Sequence, residues 1–222
     1  MFKLYKEVLS DHAGSLRYYD YTSLYPYVLK YGKYGLGHPI IITRNFKSLD
    51  NYFGVVKCKV LWPRGIYMPM LPYRNSVGDT LYFPLCARCC ENLPKASEGR
   101  CSCSDAERAL IGEWTTIEVE RAVTLGLKII KIYEVYHYPE TTQFNRVTGK
   151  GGVFVRYINA LLKIKQESDG WPLDADTDEK KALYLQQYLD HEGIRLDPSK
   201  IPASGKNMGL RTLSKLALNS LW

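Results

Sequence analysis

No stretch of this sequence approaches the roughly 18 consecutive apolar residues that a membrane-crossing helix needs, so none is expected. A secretory leader is lacking too. Residues 1–10 place Lys3, Lys6 and Glu7 among the apolar positions and contain no continuous apolar core. The expected setting is therefore intracellular and reducing, with nucleus and mitochondrion both compatible. There, cysteines serve as thiols or metal ligands rather than as disulfides. Internal repeats and low-complexity tracts are also missing, so a repeat architecture is not expected.

What is present allows a real core. The chain has 222 residues, 45% of them hydrophobic, enough for one or two domains. A net charge of +7 and a pI near 9.0 suit a polyanionic partner such as nucleic acid, although a merely basic soluble protein would show the same balance.

The first part reads as strand-rich. Leu16–Thr22 is a short β-prone run that ends in tyrosines. Tyr52–Trp62 is rich in β-branched and aromatic residues and stops at Pro63. Asp79–Pro84 follows Gly78 as another short strand. Thr115 with Glu118 forms a capping box that opens a helix, and Gly126 stands where its C-terminal cap would fall. Leu127–Tyr138 reads as a long strand. Beyond Gly152 the period becomes helical, with Phe154, Ile158, Leu161, Leu162 and Lys165 at spacings of three and four. Helices are also expected over Asp178–His191 and from Leu210 through Trp222. The polar, glycine-rich segment Thr141–Gly152 marks the best internal boundary, giving regions 1–150 and 151–222.

Three groups of residues point to chemistry. In Tyr19-Asp20-Tyr21-Thr22-Ser23-Leu24-Tyr25-Pro26, one carboxylate ends an apolar, aromatic strand. An acid placed there needs a partner, and a divalent cation is one; the N–H groups of the turn that follows could hold phosphate oxygens. An aspartate that simply caps a turn would read the same way. Near the C-terminus, Arg211, Lys215 and Asn219 recur every fourth residue and share one helix face, with Lys206 at its entry. Two cations and an amide in a stripe suit a triphosphate with a base pair beyond it, or a solvated basic face. Finally, Cys86, Cys89, Cys90, Cys101 and Cys103 make C-x2-C-C-x10-C-x-C. Two close pairs joined by a loop suit a tetrahedral thiolate zinc site, with buried thiols and disulfides as the alternatives. The expected ligands are Cys86, Cys89, Cys101 and Cys103, with Cys90 pointing away; Cys58, in a strand, is expected to be packed.

Two of these groups carry a resemblance. D-Y-T-S-L-Y-P, Asp20 to Pro26, resembles motif A of the family B DNA polymerases, and K-L-A-L-N-S-L-W, Lys215 to Trp222, resembles their motif B. In the latter, Trp222 stands where tyrosine is usual and the family's glycine is not present. Tyr31-Gly32-Lys33-Tyr34 and Gly37-His38-Pro39 are similar to the protein-primed branch, in particular to polymerases of self-synthesising transposons and linear plasmids. Lys131–Tyr138 resembles the family's palm strand and Phe154–Pro172 its fingers-proximal helix. The transposon-type members are also similar in carrying C-x2-C followed by C-x-H, so a cysteine in place of the histidine would keep a zinc ligand.

The resemblance implies an α+β fold: a partial polymerase palm with a mixed or antiparallel sheet, a cysteine-rich insertion at about 84–104, and fingers helices over 151–222 that end in motif B. It implies that Asp20 ligates magnesium and that the backbone of Leu24 meets the incoming triphosphate. The ring of Tyr25 would exclude a 2′-hydroxyl. Lys215 would serve phosphate and leaving group, Arg211 a second phosphate contact, and Asn219 would lie near the nascent base pair. The implied partners are DNA template–primer, deoxynucleoside triphosphates and a priming protein, with no membrane.

Asp174-Ala175-Asp176-Thr177-Asp178 contains the D-T-D of motif C but precedes motif B and lies among charged residues, so it reads as a solvated helix start. Motif C and the exonuclease carboxylates are thus missing. The chain reads as part of a longer DNA polymerase, inactive by itself. A non-catalytic nucleic-acid-binding module and a decayed transposon polymerase are the alternatives.

Overall fold

The computed structural model describes residues 21, 23–76, 78–92 and 101–220. It is a mixed α and β structure whose sheets are antiparallel. Contacts divide the chain into two compact units, one of Met1–Gly32 with Phe154–Trp222, the other of Lys33–Val153. Among the described residues, 21 and 23–32 therefore share a unit with the C-terminal helices.

Unit Lys33–Val153 holds β1 (Lys33–Gly35), β2 (Ile40–Ile42), β3 (Gly54–Leu61), β4 (Tyr73–Arg74), β5 (Leu81–Tyr82), α2 (Ala87–Glu91), α3 (Asp105–Arg108), β6 (Leu110–Thr115), α4 (Thr116–Thr124), β7 (Lys128–His137) and β8 (Thr141–Gln143). Its main sheet has the order β2-β7-β3-β6. Strand β3 alternates as a half-buried strand should: Val56, Cys58 and Val60 are fully buried, and Lys57 and Lys59 are not. These residues pack with Leu110, Trp114 and Val135 of the neighbouring strands, with Trp62 and Leu71, and with Val119 and Ala122 of α4. The expected capping box of α4 is formed, with the Glu118 N–H donating to Thr115 and the Glu118 carboxylate accepting from Thr115 N–H. At the other end Gly126, at φ 93°, turns the chain in the left-handed region and donates its N–H to the Val123 carbonyl. The segment expected as a boundary carries β8, which pairs with β1 from Lys33↔Gln143 to Gly35↔Thr141.

The other unit contains α1 (Leu24–Tyr31), α5 (Val155–Ser168), α6 (Asp178–Glu192) and α7 (Met208–Asn219). Leu29, Ile158 and Leu218 from α1, α5 and α7 form its core, flanked by Phe154, Leu161 and Leu162. Lys30 is buried on α1 and donates from Nζ to the Glu192 carbonyl at 2.7 Å, where the C-terminal end of a helix attracts a cation. The N-terminal strand expected over Leu16–Thr22 lies outside the described residues apart from the irregular Tyr21. Within them, the segment after Ser23 forms a helix where the sequence suggested a tight turn.

Candidate nucleotide-binding cleft and cysteine cluster

Ser23 sits in the left-handed region at φ 59° and ψ 36°, and helix α1 starts at the next residue. That reversal puts Leu24 and Tyr25 in the first turn, where a helix leaves N–H groups without an intrahelical acceptor. Both side chains are partly open, at 45% and 41% exposure. On α7, Asn207 caps the N-terminus by accepting from Leu210 N–H at 3.2 Å. Burial of Leu218 and Ser214 turns one side of this helix inward. Arg211, Lys215 and Asn219 follow on a neighbouring side and meet Tyr21, Ser23, Leu24 and Tyr25 across a cleft of about 500 Å³.

Lys165 of α5 also lines this cleft and lies 3.4 Å from Ser23 Oγ. The reading of the sequence assigned it no role, although it stands on the helical stripe with Phe154, Ile158 and Leu161. A cation on an apolar stripe was the available signal. No carboxylate is present among the described residues that line the cleft. Lys215 makes no ion pair among the described residues, and three cations share the space.

Arg211 is oriented by Asp169, which accepts from its Nε and, at 3.3 Å, from Lys206 Nζ. Burial alone would raise the Asp169 carboxyl, but the hydrogen bonds and charges of Arg211 and Lys206 overcome this and hold it below the usual carboxylate range. The two terminal nitrogens of Arg211 have no hydrogen bond among the described residues, so they remain available to a ligand. Lys206 does not line this cleft; it borders a second one with Trp171 and Tyr184. Asp20 and Trp222 lie outside the described residues.

Asp174, Asp176 and Asp178 behave as a solvated helix start. Thr177 caps α6, Asp176 pairs with Lys180 at 2.6 Å, and Asp178 pairs with Lys181 at 3.3 Å.

The cysteines form the second constellation. The thiols of Cys86, Cys89, Cys101 and Cys103 all lie within 4.8 Å of one another. Four thiolates bound at about 2.3 Å around one zinc stand about 3.8 Å apart by tetrahedral geometry; Cys89 and Cys103 are already at 3.8 Å. That spacing is nearly twice a disulfide bond length of about 2.05 Å. Local structure holds the cluster together. Cys86 caps α2 by accepting from Cys89 N–H, and Arg64 donates to the carbonyls of Cys101 and Cys103. Ser104 and Glu107 form a capping box on α3, and Arg88 of α2 pairs with Glu107. Burial raises the Cys86 and Cys89 thiols, whereas the N–H of Cys103 holds Cys101 down at about 7. Cys90 is buried outside the cluster. Cys58 is fully buried in β3, which pushes its thiol up to about 12 and leaves it a packing residue.

In comparison with known protein families, the model for DNA polymerase type B, organellar and viral, matches residues 3–173. The chain belongs to this family. No curated protein and no solved structure matches it. The polymerase match takes in the Asp20–Pro26 segment, the cysteine cluster and all of α5 with Lys165. It ends before α6 and α7, so Arg211, Lys215 and Asn219 join the polymerase segment through the cleft itself. Membership of a DNA polymerase family implies nucleotidyl transfer with DNA and nucleotides as substrates and a divalent metal as cofactor. No helix among the described residues is long and apolar enough to cross a membrane.

Proposed function

We propose that the cleft between the start of α1 and α7 binds the incoming deoxynucleoside triphosphate in template-directed DNA synthesis. The supporting observation is the meeting of the polymerase-like segment Ser23–Pro26, at the start of α1, with Lys165, Arg211 and Lys215 in a space free of carboxylates among its described lining residues. A polyphosphate is the complementary ligand for three convergent cations. In this reading Lys215 serves the phosphates and the leaving pyrophosphate. Arg211 offers its terminal nitrogens while Asp169 holds it, and Leu24 contributes backbone. Tyr25 lies under the sugar and Asn219 near the base pair.

Magnesium would be held by Asp20, which directly precedes the cleft-lining Tyr21, together with substrate phosphates; it would activate the attacking hydroxyl and offset charge on the leaving group. The attacking hydroxyl belongs to a DNA 3′ end or, as in the protein-primed branch, to a priming protein. The main sheet is read as palm, α5–α7 as fingers, and α2–α3 as a zinc-bearing insertion with Cys86, Cys89, Cys101 and Cys103 as ligands.

Lys215→Ala should weaken binding of magnesium–dATP by about tenfold or more, the worth of one charge-assisted phosphate contact. DNA affinity should change by less than about twofold, because one solvated charge contributes little to a long phosphate track. Titration of a fluorescent deoxynucleotide checks the first value and an oligonucleotide shift checks the second. Equal losses would return Lys215 to a solvated basic face. A binding module without polymerase ancestry would show no magnesium-dependent nucleotide binding at all.

Two-metal transfer needs carboxylates on both sides of the metal pair, and Asp20 is the one candidate in this sequence. The purified 222-residue chain is therefore expected to extend no primer with magnesium and all four deoxynucleotides. Extension products on a denaturing gel would contradict this.

A further inference from the structure

A small cavity of about 230 Å³ lies where three chain segments of unit Lys33–Val153 end or begin. Strand β3 stops at Leu61, ahead of Pro63, which has no N–H to give a ladder, so Trp62 and Arg64 stand at its end. Lys128 opens β7 and is paired with Leu61. Asp105 and Arg108 are the two ends of α3. Trp62, Arg64, Asp105, Arg108 and Lys128 all line the cavity, and among its lining side chains Asp105 is the one acceptor.

The rest of the polar side chains are donors. Arg108 is buried, and it donates to the Trp62 carbonyl at 2.9 Å and to Asp105 at 3.0 Å. Arg64 donates to the carbonyls of Cys101 and Cys103 and lies 3.5 Å from Asp105. These contacts account for the two arginines only in part. One carboxylate faces three cations, which leaves an excess of two positive charges. Lys128 makes no ion pair among the described residues. Trp62 is 1% exposed, and its Nε1–H meets no acceptor among them. A buried N–H without an acceptor is costly, and in native structures such a group calls for a water or an ion. A water would answer the indole N–H but not the charge.

We propose that this cavity binds a free phosphate dianion. Its charge matches the excess of two. Its oxygens accept from several directions at once, which suits an indole N–H, an ammonium and guanidinium N–H groups brought in by three segments. The cavity is smaller than the roughly 300–1,000 Å³ of sites for drug-sized ligands, so it suits a small ion rather than a nucleotide. Bound there, phosphate would tie the end of β3 and the start of β7 to α3, and so steady Arg64 against the cysteine segment. The site shares no residue with the nucleotide cleft and stands whether or not that cleft takes a nucleotide.

The test is a titration of the isotope-labelled whole chain with sodium phosphate at constant ionic strength, followed in the proton–nitrogen spectrum. The chain has four tryptophans and so four indole N–H signals. The Trp62 signal, assigned through its own backbone, should shift saturably while the other three stay in place. Lys128→Gln should weaken phosphate binding about tenfold or more, the worth of one charge-assisted hydrogen bond. Because Lys128 has no ion pair to lose, the thermal midpoint without phosphate should not fall. Arg108 is a poor choice of variant, since it anchors α3 to the Trp62 carbonyl. Lys57→Gln removes an equal charge from β3 outside the cavity and should leave phosphate affinity unchanged. A Trp62 signal that does not move, the same shift with sodium chloride alone, undiminished affinity in Lys128→Gln, or an equal loss in Lys57→Gln would each overturn the site. A shift with an oligothymidylate and none with inorganic phosphate would assign the cavity to a phosphodiester chain and overturn the free dianion.

Discussion

On the proposed zinc-bearing reading of the cysteine cluster, removing the metal with a strong chelator is expected to release α2 and residues 101–104 while leaving β3, β6 and β7 intact. The cluster is held by short local links: a cap from Cys86 to Cys89 N–H, two donations from Arg64, and one ion pair between α2 and α3. Most of these groups are exposed, and exposed pairs each contribute little. Four thiolates on one zinc, by contrast, contribute on the order of 10 kcal/mol at neutral pH in small zinc domains. The release should stop at Arg108, which is buried and donates to the Trp62 carbonyl at 2.9 Å, tying the end of α3 to the core. Hydrogen exchange with and without chelator measures this directly. Metal titration should give one equivalent of zinc per chain, and Cys103→Ser should weaken it by on the order of a thousandfold or more, since a hydroxyl replaces a thiolate ligand. Exchange that rises equally in the sheet, or a chain that takes up no zinc, would contradict a structural metal.

Tyr25→Ala is expected to remove most of the preference for deoxyribonucleotides. Tyr25 stands on the first turn of α1 and borders the cleft with its ring partly open. Its backbone is held independently: Leu29 is packed in the helical core, and Lys30 is bonded to the end of α6. Truncating the side chain should therefore change the cleft wall without unfolding the helix. A wall that rejects one hydroxyl by contact is worth about 2–4 kcal/mol, or roughly 30- to 700-fold in relative affinity. The ratio of magnesium–ATP to magnesium–dATP affinity measures it. Tyr25→Phe keeps the ring and should keep the ratio. If Tyr25→Ala binds the two sugars in the same ratio as the parent, the ring does not read the sugar.

The elements that were legible beforehand are those whose signals are local. The capping box at Thr115 and Glu118 satisfies two N–H groups within four residues of chain, so no distant contact is needed to define the start of α4. The alternation of β3 and the three-and-four spacing of α5 each encode one buried face, and both elements lie where the pattern put them. Helix α6 likewise starts at its acidic first turn. The family too was visible in seven residues of sequence, because the D-x-x-S-L-Y-P pattern of Asp20 to Pro26 is a specific one and lies within the segment that the polymerase family matches.

Other features were not local, and the sequence could not carry them. Tyr25-Pro26-Tyr27 has little helical preference, yet α1 is a helix because Leu29 finds Ile158 and Leu218 to pack against. Strand β6 has a glycine at its third position and weak alternation; its partner β3 and the burial of Leu110 and Trp114 make it a strand. The sequence by itself determined the family, the candidate ligands and the main periodic elements, since each rests on residues close together in the chain. The tertiary structure alone decided that residues 23–26 face Arg211 and Lys215, that Lys165 joins them, and that four thiols separated by up to seventeen positions converge within 4.8 Å. The physical reason is that an isolated cation or thiol is equally at home on any solvated surface. Only packing of the apolar faces beneath brings such groups together, and only their proximity turns them into a site.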